Sequence, residues 1–225
     1  MKSFMKMVKS TLIKLIFYFF CNQIFLLDLE PYENFYFSKP SGTVKETLIR
    51  LSDNKWKISS EGKHPLFNIK QESTFFINDG NVVLESGYRN LDILGGIRKD
   101  YQSYKIEKKN NKMFVNFSFG KNDGSIEIFD NFYDNLTLQI QIKLNFLEKD
   151  KFEISYFDKG KIKKKIFLNE KTKILYKSLK TEVYEFTEKR KDNRFFRFMI
   201  NSDSKKETLK VSQGGRGFNV EWELN

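Results

Sequence analysis

Ser73-Thr-Phe-Phe-Ile77, Asn78-Asp-Gly-Asn81 and Val82-Val-Leu-Glu85 follow one another without a break, and this stretch decides the fold. Two short runs rich in β-branched and aromatic residues flank an Asp-Gly pair. Asp-Gly supplies the positive φ values that a two-residue hairpin turn demands. The stretch therefore predicts two antiparallel strands joined by a tight turn.

The same pattern extends in both directions. Val44, Leu48, Trp56 and Ile58 stand at even intervals among polar residues, with Asp53-Asn54 as turn chemistry between them. Met113, Val115, Phe117 and Phe119 alternate with Lys112, Asn116 and Ser118. Phe152, Ile154 and Tyr156 lead through Asp158-Lys-Gly160 into Ile162, Lys164, Ile166 and Leu168. Residues 183–186, 195–200, 208–211 and 218–224 repeat the scheme. In the last of these, Phe218, Val220, Trp222 and Leu224 share one face and Asn219, Glu221 and Glu223 the other, which predicts Trp222 as a core residue. Roughly ten short strands of this kind make a mainly antiparallel sheet, apolar on one face and wet on the other. Such a sheet must curl, close or be covered to hide its edges and its apolar face. No repeat of fixed period occurs, which argues against a propeller or solenoid.

One segment reads two ways. Leu136, Leu138, Ile140, Ile142, Leu144 and Phe146 alternate with Thr137, Gln139, Gln141, Lys143 and Asn145, a strand pattern. Asp134 is nonetheless a good N-cap, and Leu136, Ile140, Leu144 and Leu147 make a helical stripe.

The start of the chain is of another kind. Residues 1–9 are basic and free of acids, and residues 12–27 are nearly all apolar, broken by Lys14, Asn22 and Gln23. That is the layout of a positive n-region feeding a hydrophobic h-region, the signal for export across a membrane. Residues 1–30 are read as a signal peptide or N-terminal membrane anchor, and residues 31–225 as a single β-rich domain. The apolar run is shorter than the ~20 residues that span a bilayer, so a cleaved signal is the favoured form. The sole cysteine, Cys21, lies in this leader behind Tyr18, Phe19 and Phe20, where a lipoprotein would carry small residues. The domain thus contains no internal disulfide and must be held by its core.

Net charge is +11 with a pI near 9.4. The chain has no alanine and is rich in Lys, Asn, Ile, Phe and Tyr, the spelling of an AT-biased genome. Its lysines alternate with apolar residues along strands instead of clustering, which reads as a solvated basic surface and not a nucleic-acid site. His64 is the only histidine, so neither a His-based triad nor a zinc site has its partners, and it is read as a turn residue. Gly214-Gly-Arg-Gly217 and Gly95-Gly96 are read as turns. No nucleophile elbow, zincin, P-loop or dinucleotide motif occurs.

The order of features resembles a family of exported bacterial proteins known as domain of unknown function 3108. The resemblance is carried by residues 71–88, 101–116, 129–144 and 179–224. It implies a curved, incomplete β-barrel with a helix against its concave side, similar to envelope carriers of lipoproteins, and so a helix over Asp134 to Leu147. It implies no catalytic residues.

The expectation is therefore a mainly β protein: a single curved antiparallel sheet forming an open or incomplete β-barrel, one helix against the concave face, and an N-terminal signal or anchor helix. Its expected place is the periplasm, with inner-membrane anchoring through residues 1–30 if the leader is retained. Its expected work is non-enzymatic binding of a hydrophobic ligand or a lipidated or envelope protein. The alternative is an assembly or scaffold protein acting through sheet-edge pairing. No catalytic residue, metal ligand or cofactor is expected, and the sequence singles out no ligand-binding residue. The partners expected are lipid, lipoprotein or another envelope protein, and no nucleic acid.

Overall fold

The computed structural model describes residues 29–38, 41–65, 67–190, 194–203, 205–215 and 218–225. The predicted signal or anchor helix lies outside the described residues. Among the described residues, one sheet wraps around one helix. The strands are β1 (Tyr32–Ser38), β2 (Gly42–Arg50), β3 (Lys55–His64), β4 (Phe67–Asn78), β5 (Asn81–Ile93), β6 (Arg98–Lys109), β7 (Lys112–Phe119), β8 (Asn122–Ile128), β9 (Phe132–Tyr133), β10 (Lys151–Asp158), β11 (Lys161–Tyr176), β12 (Leu179–Lys189), β13 (Phe195–Asn201), β14 (Thr208–Gly215) and β15 (Phe218–Leu224). The helix, α1, runs from Asn135 to Asn145 between β9 and β10.

Their order in the sheet is β8-β7-β6-β5-β4-β3-β2-β1-β15-β14-β13-β12-β11-β10-β9. Each strand lies beside its sequence neighbour, and the two halves of this meander are joined where β1 pairs with β15. The edges of the sheet are thus β8 and β9, neighbours in sequence that do not pair. The barrel is open along that seam, through which the chain passes to form the helix. All pairings are antiparallel except the short one of β9 with β10. Register shifts at Thr74/Phe75 and Met199/Ile200 mark bulges, which sharpen local twist and help a sheet this long to curl.

Hairpin chemistry explains the meander. Asp79 and Gly80 have φ of 48° and 72°, and Lys159 and Gly160 have 52° and 68°, the paired left-handed residues of a tight hairpin. Gly95 and Gly96 also sit at positive φ in the β5–β6 turn, as expected. Lys177 and Ser178 adopt the same form at 47° and 67° although neither is Gly, Asn or Asp, so that turn carries no sequence signal.

The core is the concave face. Leu48, Ile58, Phe75, Phe167, Phe186 and Phe198 point inward and are fully buried. Aromatic rings stack through it: Phe146 on Phe152 at 4.5 Å, and Phe186 on Phe198 at 5.0 Å. A second, smaller cluster of Val183, Met199 and Leu209 lies apart, with Ile174, Tyr176 and Leu224 packed on it.

Three expectations need correction. Val220 is buried, but Trp222 and Leu224 on the same strand are half-buried, because they fall near the strand's end beside the short β1. Trp222 lies edge-on to His64 and Phe67 at 5.9 and 6.0 Å. His64 is not in a turn: it ends β3, buried, stacked on Phe67 at 4.9 Å. On β7 only Val115 is fully buried, and Met113 is exposed, since this strand lies next to the edge strand β8.

Candidate functional site

The strand-like alternation in α1 has a physical cause. Residues Leu136 through Lys143 are all buried, so the helix has no wet face and needs no amphipathic stripe. Its polar side chains instead find partners on the surrounding wall. In a helix, positions two apart differ by about 200°, which sends Thr137 and Gln141 one way and Gln139 and Lys143 the other. Gln141 Oε1 accepts the backbone N–H of Val82 at 2.7 Å. That N–H is free because β6 pairs with β5 only from Ser86 onward, and α1 covers the gap. On the opposite side Gln139 Oε1 accepts from Thr208 Oγ1 at 3.2 Å.

The start of α1 is a polar socket. Asp134 caps the helix by accepting from Leu136 N at 3.1 Å and Thr137 N at 2.9 Å, while Thr137 Oγ1 accepts from Asp134 N at 3.1 Å. The other carboxylate oxygen accepts from Tyr104 Oη at 2.5 Å and from Ser73 Oγ. Tyr156 Oη donates to Asn135. Burial, then the charge of Asp134, pushes the Tyr104 hydroxyl well above its ordinary pKa. The space left among Gln71, Ser73, Gln102, Tyr104, Asp134 and Tyr156 is about 20 Å³, room for a water and not for an acyl chain.

Toward its end α1 places Lys143 beside buried Glu46, whose carboxylate accepts from Tyr32 Oη at 2.9 Å. Burial lowers the Lys143 pKa, opposed by Glu46 and Glu207, and raises that of Glu46, opposed by Lys143. Near the seam lies another buried ionic group. Glu188 binds Arg190 at 2.7 Å and Lys165 at 3.3 Å, and Lys165 Nζ sits 3.4 Å from the Tyr156 ring centroid. Burial brings the Lys165 pKa down to about 8 against the pull of Glu188.

The seam is closed by side chains where backbone pairing stops. The β10–β11 turn reaches across to β5 and β6: Arg89 pairs with Asp158 at 3.0 Å, and Gln102 Oε1 accepts Lys159 N at 2.7 Å. The Phe117 ring lies against Gly124 and Gly160, where a Cβ would approach it to 2.6 and 2.3 Å. Beyond these contacts β8 keeps one side unpaired, most of its residues are exposed, and Phe129 follows it with its ring almost wholly in solvent.

On the outer face a groove of about 540 Å³ crosses β1 to β5, lined by Lys45, Glu61, Lys63, Lys70 and Asp92 together with the apolar Phe35 and Ile69. It is open and shallow, with charges of both signs around Phe35 and Ile69. Among the described residues no group of three or more His, Cys, Asp or Glu is arranged to hold a metal, and no helix is long and apolar enough to cross a membrane. Sequence reasoning named no site residue; Asp134, singled out only as a cap, proves to be the hub of the socket.

No family model matches the chain. No curated protein matches it either. Among solved structures it is similar to the β-barrel-like protein of Domain of Unknown Function DUF1849 from Brucella abortus, with a TM-score of 0.56 and 11% identity over 87% of this chain and 95% of that one. At that identity the likeness shows the fold alone, a β-barrel-like sheet.

Proposed function

We propose that this is a non-enzymatic binding protein of the bacterial envelope that takes up an extended segment of a partner protein along the free edge of β8. The carrying observation is the open seam: β8 offers unpaired backbone groups beside exposed Phe129, the usual template for an added strand. The filled interior supports the same choice. An apolar ligand such as an acyl chain needs some hundreds of Å³ and would have to displace α1, which is buried over eight successive residues. Of the two roles read from the sequence, edge pairing is therefore preferred to a ligand cleft. Export to the periplasm rests on residues 1–30. Kinship with the exported proteins of domain of unknown function 3108 belongs to the same reading, on the shared outline of an incomplete barrel and an inner helix.

The test uses proline. Backbone N–H groups of adjacent strand residues point to opposite sides, so of Asn122→Pro and Asp123→Pro, both at exposed positions of β8, one removes an N–H facing the seam and the other an N–H bonded to β7. The first is recognised by an unchanged denaturation midpoint. Wild-type chain isolated from its own envelope is expected to retain a protein partner that this variant loses. Equal retention by both would overturn edge pairing. A fusion of residues 1–40 to a phosphatase active only outside the cytoplasm tests the location, and an inactive fusion would remove it.

A further inference from the structure

The β11–β12 hairpin outgrows the barrel. β10 accompanies β11 only as far as Leu168, and β13 accompanies β12 only from Val183 onward, so the residues between bond mainly to one another as a two-stranded ribbon. The ribbon is braced and does not hang free. Tyr176 Oη donates to the Leu224 carbonyl at 2.7 Å, and Ile174 and Tyr176 pack on the Val183, Met199 and Leu209 cluster. Its turn is tight, with Lys177 and Ser178 both at positive φ.

This braced tip carries two leucines that face solvent. Leu175 is 74% and Leu179 70% exposed, on either side of the turn. Cross-strand pairing sets Leu175 with Lys180 on one face of the ribbon and Leu179 with Tyr176 on the other, so the leucines flank the tip instead of covering each other. Between Glu170 and Glu182 the chain has no acid and carries Lys171, Lys173, Lys177 and Lys180. Lys171 is paired with Glu182 at 3.0 Å, whereas Lys173, Lys177 and Lys180, nearer the tip, are exposed to solvent.

We propose that the β11–β12 tip docks the protein on an anionic bilayer surface, Leu175 and Leu179 entering the headgroup region and Lys173, Lys177 and Lys180 contacting the lipid charges. Two features select this occupant. An apolar point ringed by amines meets an interface that is apolar below and anionic above, and leucines held out by a braced ribbon enter it without ordering a loop. A protein pocket would have to supply both an apolar slot and several carboxylates. The inference is independent of β8: neither the ribbon nor its lysines touch the seam.

The test uses the full chain with a reporter that a retained leader cannot move. In a Cys21→Ser background, an environment-sensitive NBD dye is attached at Leu179→Cys, or at Lys121→Cys in the β7–β8 turn at the other end of the barrel. With vesicles of phosphatidylcholine and phosphatidylglycerol, the dye at position 179 is expected to brighten and shift to the blue, and the dye at position 121 to stay unchanged. Reversing the charges with K173E, K177E and K180E should weaken the titration by at least about tenfold, and salt of about 0.5 M should do the same. Positions 121, 173, 177, 179 and 180 are exposed, so the denaturation midpoint should hold across the variants. A dye at position 179 as silent as that at 121 would overturn the proposal. So would insertion indifferent to the charge reversal, or a response to envelope proteins and not to vesicles.

Discussion

The Tyr104 hydroxyl reaches the Asp134 carboxylate at 2.5 Å by passing over Gly87, the residue paired with it on β5. A Cβ at Gly87 would stand 2.6 Å from that hydroxyl oxygen, so the glycine is what lets the wall of the barrel grip the start of the helix. Asp134→Ala removes a helix cap, worth about 0.5–2 kcal/mol. It also leaves the buried hydroxyls of Ser73 and Tyr104 without their acceptor, each at about 1–3 kcal/mol. A total loss of roughly 3 kcal/mol or more is expected in chemical denaturation. Asp134→Asn, which still caps, should lose about 1 kcal/mol. Gly87→Ala should cost about 1–3 kcal/mol through overpacking. Equal midpoints for Asp134→Ala and wild type would show that the socket does not hold α1.

Phe117 is the corresponding grip at the seam. Its ring meets Phe157 edge-on at 6.0 Å and lies on the bare backbone of Gly160, which has φ of 68°. Phe117→Ala is expected to destabilise by about 2–3 kcal/mol, below the fully buried range because the ring is only partly covered. Amide exchange should quicken most at residues 157–162, where the hairpin loses its contact. Uniform quickening over the whole sheet would mean that the ring serves general stability and not the seam.

Much of this was readable in the chain. Strands β2 to β5, β7 and β10 to β15 announced themselves by alternation or apolar runs, whereas β1, β6, β8 and β9 did not, and Asp79-Gly80 and Lys159-Gly160 announced their turns, because left-handed backbone is cheapest for Gly, Asn and Asp. Lys177-Ser178 did not, since tertiary bracing through Tyr176 imposes a turn that local chemistry would not choose. The helix was half-legible: Asp134 marked its start and Thr137 closes its cap, but Gln139, Gln141 and Lys143 copied a strand because their partners come from distant strands on every side. The filling of the barrel was illegible for the same reason. Ser73, Tyr104, Asp134 and Tyr156 converge across more than eighty positions, and nothing local ties them.

Trp222 tests how well alternation predicts depth. A fully buried Trp→Ala typically costs about 3–5 kcal/mol. Trp222 is half-buried against His64 and Phe67, so about 1.5–2.5 kcal/mol is expected from its partial burial. A loss in the full core range would mean that these rings close the barrel more tightly than their exposure shows.

Lys165 gives the pH dependence. Its ammonium faces Glu188, Arg190 and the Tyr156 ring, with Asp158 farther off, and burial sets its pKa near 8 against 10.5 for a free lysine. Between those values the native amine has lost its proton while the unfolded chain still holds one. The unfolded state then binds more protons, so stability rises as pH climbs from about 8 to 10.5. At neutral pH the charged amine is a net burden of up to about 3 kcal/mol, from ~1.4 kcal/mol per pKa unit. Lys165→Met keeps the length of the side chain and leaves Glu188 its bond to Arg190. It is expected to raise the denaturation midpoint at neutral pH by about 1–3 kcal/mol, an advantage that fades toward pH 10 as wild type sheds its own charge. A variant less stable than wild type by the same margin at both pH values would show that the attraction of Glu188 outweighs burial.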